Sequence, residues 1–128
     1  MKVEIPIGDV VDKVTILDIK RCKLHDSQAL NNVERERQAL RDGWTEHGLT
    51  PMEGLPQWEE LRQVNEALWD VEDALRACEA QADFGSRFVE LARSVYRLND
   101  KRAALKRSIN LHLGSTLVEE KSYHGATP

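Results

Sequence analysis

The chain has 128 residues, the length of one domain and enough to bury a real core. Hydrophobic residues make up 41%, and the net charge of −4 comes from both signs mixed along the chain. Those values exclude a disordered polyelectrolyte, and they exclude a general nucleic-acid grip, which needs a dominant basic surface.

The N-terminus, MKVEIPIGDVVDK, alternates Val3, Ile5 and Ile7 with Lys2, Glu4 and Pro6, so residues 1–8 are expected to be an extended arm, with Pro6 confining any strand to an edge. Acidic residues inside its apolar part argue against a signal peptide. No apolar run approaches the roughly 20 residues that span a bilayer. With Cys22 and Cys78 far apart, two reduced thiols in a cytoplasmic protein are the expectation.

Helix one is expected from Asp9 to Leu24. Asp9 and Asp12 sit in its first turn, where the positive helix end favours them. Val10, Val14, Leu17 and Leu24 form one stripe, interrupted by Arg21. Val11, Ile16, Ile19 and Cys22 add apolar surface on other sides, and such a helix needs a cover. That surplus suggests a homodimer.

Helix two is expected from Ser27 to His47, capped by Asp26 or Ser27. Leu30, Val33, Arg37, Leu40, Trp44 and His47 repeat at threes and fours, a seam with one cation in it. GLTPMEGLPQ, residues 48–57, carries two glycines and two prolines and reads as an internal loop. Helix three, Gln57 to Gln81, has the cleanest period: Leu61, Val64, Leu68, Val71, Leu75 and Cys78. A short turn then leads to a long helix four within Phe84 to Gly114, so the two are expected to form an antiparallel hairpin. Aromatics are only 5% of the chain, which leaves Trp44, Trp58 and Trp69 as the large pieces of an aliphatic core. The fold class implied is all-α: one single-domain antiparallel bundle built on a long hairpin, with the arm in front and a tail at 115–128.

Helix four carries the constellation of interest. Asn99, Arg102, Lys106 and Asn110 fall at spacings of three, four and four, on the side where an apolar stripe would continue. With Arg21 and Asn65 they define a candidate ligand-binding set between helices. Arginine presents a planar fork that matches carboxylate or phosphate, and lysine adds a point charge. Burying such cations costs several kcal/mol each unless something negative arrives. A small bound anion is one source of that charge. The competing explanation is a carboxylate of the chain itself, with Glu72, Asp100, Glu119 and Glu120 as candidates, or escape of the long side chains to solvent. If the pocket is catalytic, Glu72 is its candidate acid or base, and Tyr96 and Tyr123 are candidate lining residues.

Other chemistry finds less support. Glu66, Asp70 and Asp73 share a face that looks away from the seam, so they do not converge as a Mg²⁺ site of the all-α nucleotide pyrophosphatase type requires. His25, His47, His112 and His124 lack ligand spacing, and no metal or cofactor is expected. Neither a glycine-rich phosphate loop nor a serine elbow is present.

IPIGDVVDKVTILDIKR, VNEALWDVEDALRACE, and FVELARSVYRLNDKRAALKRSIN followed by GSTLVEEKSY together resemble a family of small bacterial proteins known as a domain of unknown function. The resemblance covers nearly the whole chain, least well between Asp26 and Pro56. It implies no catalytic residues, but it implies a setting near surface-polysaccharide or lipopolysaccharide genes. VDKVTILDIKR also loosely resembles the opening helix of helical chorismate mutases. Three functions follow as expectations: a binding protein for a small carboxylate or phosphate, a helical enzyme using the same pocket, and a structural or adaptor bundle without a ligand.

Overall fold

Pro6 begins the first helix. Its fixed backbone (φ −60°, ψ 144°) suits the residue preceding a helix, and its carbonyl accepts from the Asp9 amide at 3.0 Å. The computed structural model describes residues 3–114 of the chain, in which α1 spans Ile7–Lys23, α2 Ser27–Glu46, α3 Trp58–Ala80 and α4 Ser86–His112. All regular structure among the described residues is helical, and the helices pack on one another as an all-α bundle. The tail at 115–128 lies outside the described residues.

Helix α1 starts two residues earlier than its sequence suggests, because Pro6 and not Gly8 ends the extended arm. Helix α2 starts where Asp26 accepts from the Ala29 amide at 2.8 Å, an N-cap as expected. Helix α3 ends in a Schellman turn: the Asp83 amide reaches the Cys78 carbonyl at 2.9 Å and the Ala82 amide reaches Glu79 at 3.1 Å. Ala82 therefore holds φ +52°, a conformation that favours glycine. The next helix runs back. Gln57, just before α3, bonds Ser108 near the end of α4 at 3.0 Å, and Arg87 at the start of α4 reaches Cys78 near the end of α3 at 3.4 Å.

Helix α1 is the centre. It packs on α2, α3 and α4, which cover much of its apolar surface within the one chain. Val11, Val14, Leu17 and Ile19 are all buried inside the one chain. The core continues through Trp44, Trp58, Leu61 and Ile109. The GLTPMEGLPQ segment contributes as well: it holds a 3-10 turn at Met52–Gly54 and buries both Met52 and Leu55. Trp69 is only half-buried, so two of the three tryptophans belong to the core.

Candidate functional site

The side of α1 that faces the α3–α4 groove carries Gly8, Asp12 and Thr15 at spacings of four and three, one face of a helix. Helix α4 runs antiparallel to it. Residue 110 thus lies opposite residue 8, residue 106 opposite residue 9, and residue 102 opposite residue 12.

Asp12 is the hub. Its side chain is 6% exposed, and Arg102 grips it with both prongs, Nε to Oδ1 at 2.9 Å and Nη2 to Oδ2 at 2.6 Å. Paired charge-assisted bonds of this kind are the strong class. Asn65 of α3 donates both hydrogens of its amide, one to Asp12 Oδ1 and one to Thr15 Oγ1, each at 2.8 Å. Thr15 in turn donates to the Asp12 carbonyl at 2.6 Å. One buried carboxylate, one guanidinium, one amide and one hydroxyl thus join three helices.

One turn along, Lys106 Nζ stands 3.0 Å from Asp9 Oδ1, with the lysine side chain 13% exposed. Arg102 and Lys106 thus each face an aspartate of α1. At the end of the row, Asn110 is completely buried, and its Oδ1 accepts from the Gly8 amide at 2.6 Å. The first turn of α1 has no side-chain cap of its own. Asn110 supplies that cap from another helix, satisfying an amide that would otherwise be orphaned. Gly8 permits the approach: a Cβ there would run into the Lys106 carbonyl and would sit 2.9 Å from Asn110 Oδ1. The amide nitrogen of Asn110 is buried with no hydrogen-bond partner.

The structure thus brings together Asn65, Arg102, Lys106 and Asn110. Asn99 is half-buried on α4 and takes no part in the side-chain bonds to α1. Arg21 lies elsewhere, as an exposed residue paired with Glu34 of α2 at 3.2 Å. Glu72 is exposed on α3 and is not the counter-charge of the cluster. Asp100 is likewise exposed, and Glu119, Glu120 and Tyr123 lie outside the described residues. Among the described residues, Asp12 and Asp9 supply counter-charge, and the sequence presented both as helix-start acids.

Arg37, the cation in the α2 seam, follows the same rule: its Nε donates to Asp18 of α1 at 2.6 Å. Arg41 holds the Glu53 carboxyl at 2.6 Å and, chiefly through that bond, below the usual carboxylate range. Its guanidinium also lies 5.9 Å from the centre of the Trp58 ring.

Among the described residues no three His, Cys, Asp or Glu side chains converge as a metal ion would need. No helix among them is long and apolar enough to cross a membrane. A groove of about 570 Å³ lies between the N-terminal arm and α2, lined by Val3, Ile5, Val10, Leu40 and Trp44 among others. Its walls are apolar, unlike the Asp12 cluster.

A family model described as a family of unknown function (DUF6165) matches residues 1–128. The chain belongs to that family. No curated protein and no solved structure matches it. DUF6165 membership therefore accounts for the whole length of the chain and assigns no role to any residue of the cluster.

Proposed function

We propose that the chain is a cytoplasmic helical scaffold that acts through protein association, and that the Asp12 cluster is its internal clamp and not a small-molecule pocket. One observation carries this: each cation directed into the groove between α1 and α4 already meets an aspartate of α1. An incoming anion would have to displace Asp12, leaving a buried carboxylate without its partner, a cost of about 3–5 kcal/mol for a buried pair. The surface-polysaccharide setting implied by the resemblance is where the scaffold would serve.

A small carboxylate or phosphate ligand remains the second reading, favoured by the buried, unpartnered amide nitrogen of Asn110. A thermal-shift panel of phosphate, nucleotides and dicarboxylates separates the two. The scaffold reading expects no ligand-dependent shift. Binding at a hundredfold excess over Kd would add about 2.7 kcal/mol. A shift of that size, abolished by Lys106→Met, overturns the scaffold reading.

A further inference from the structure

The hairpin is electrically polarised across its width. Helix α3 carries seven acidic residues and two basic ones, whereas α4 carries seven basic and two acidic. Arg102 and Lys106 of α4 face Asp12 and Asp9, whereas Arg93 and Arg97 lie on its exposed side. On α3, Glu59, Glu66, Asp70 and Asp73 recur at helical spacing along one exposed edge. Arg62 bridges Glu59 and Glu66, Lys23 approaches Asp70, and Arg76 pairs with Asp73. Their exposed positions leave these pairs open to exchange with a stronger partner.

On α4, Val89, Arg93 and Tyr96 fall at spacings of four and three on one face, and all three are exposed. Val89 is 51% exposed and Tyr96 is 54% exposed, and Leu111 extends the same face at 55%. The Arg93 guanidinium beside Tyr96 holds its hydroxyl below the usual tyrosine range. Arg97 flanks it, paired with Glu90 at 3.3 Å, and Asp100 is the other acid nearby. An apolar strip edged by arginines is a recognised composition for a docking face.

We propose that the partner of this face is a second copy of the chain, with the acidic edge of its α3 laid along the basic edge of α4. The proposal rests on the scaffold reading and names its partner. Charge complementarity selects the occupant: the chain displays both the basic strip on α4 and an acidic rail on α3. One copy's Asp70 and Asp73 meet its partner's Arg93 and Arg97, and Val89 and Tyr96 are covered. A contact one helix wide, over the rail from Glu59 to Asp73 and therefore about 21 Å long, is small for a stable complex. Association is accordingly weak and sensitive to salt.

Sedimentation of the full chain between about 5 and 500 µM tests this at low and high salt. The expected result is concentration-dependent assembly that weakens about tenfold at high salt. Two charge-reversed chains, Arg93→Glu with Arg97→Glu and Asp70→Lys with Asp73→Lys, are each expected to stay monomeric with near wild-type melting temperatures. Mixed in equal amounts they are expected to associate, because reversed charges meet across the contact. Wild type that stays monomeric at every concentration, or assembles indifferently to either reversal, overturns the proposal. So does a mixture of the two variants that fails to associate. Each of those results leaves the ligand panel unaffected, so failure of this contact and failure of the scaffold reading are separately visible.

Discussion

Replacing Arg102 by methionine removes both prongs from Asp12 while keeping the bulk of the side-chain stem. Asp12 keeps its bond from Asn65 but loses two charge-assisted donors at 2.9 and 2.6 Å, in a position where its side chain is 6% exposed. Breaking a fully buried pair from one side costs about 3–5 kcal/mol. Arg102 is 30% exposed, so water screens part of its charge and the expected loss falls to about 2–3 kcal/mol. For a domain of this size that lowers Tm by about 10 °C. Arg102 meets other groups as well, so the single variant overstates the share belonging to Asp12. A double-mutant cycle with Asp12→Asn isolates that share. Urea denaturation of the four chains should give a coupling of at least about 1 kcal/mol, with the double variant losing less than the sum of the singles. Additivity within about 0.3 kcal/mol would show that the two side chains do not stabilise one another and would sink the clamp.

Two glycines separate close approach from simple flexibility. Gly8→Ala should cost about 2–3 kcal/mol, since its Cβ would press on the α4 backbone. Gly43→Ala in α2, where nothing lies within 4 Å, should stabilise by up to about 1 kcal/mol; equal effects at the two sites in thermal melts would contradict the approach. Ala82→Gly should stabilise by roughly 0.5–1 kcal/mol by relieving φ +52° at the α3 terminus, and a loss of stability would refute it. Arg41 lowers the Glu53 pKa, so the unfolded chain binds the proton more readily. Stability from this pair is therefore present above the ordinary carboxylate range and lost as pH falls through the lowered value. Because both partners are partly exposed, Glu53→Gln should cost about 0.2–1 kcal/mol at pH 7 and less at pH 3; a larger loss at pH 3 would contradict the sign.

The helices were legible because their seams are written within each segment: Leu61, Val64 and Leu68 recur at threes and fours and are all buried. Arg102, Lys106 and Asn110 stood out because polar residues interrupted such a stripe. Their partners did not. Asp9 and Asp12 have a sufficient local explanation as helix-start acids, and nothing local reveals a bond spanning 90 residues. The available signal was Gly8, Asp12 and Thr15 on one face, a glycine and two short polar side chains beside the apolar Val11 and Val14. Arg21 gave the same sequence signal as Arg102, yet it lies at the rim of the α1–α2 contact, where Glu34 reaches it. In GLTPMEGLPQ the glycines and prolines correctly marked a turn. They carry no information about burial, and Met52 and Leu55 entered the core unannounced.

The bond from Gly8 to Asn110 joins positions 102 apart in sequence and closes a ring around nearly all of the described protein. Lengthening a loop adds entropy only slowly, so the closure is inexpensive once the helices between are in place. Its rupture, however, frees the start of one helix and the end of another together. The amide proton of residue 8 should therefore exchange with deuterium only on global opening, although it lies two residues from an unhelical arm where fraying is the rule. Its exchange rate reads the stability of the whole bundle from one backbone position.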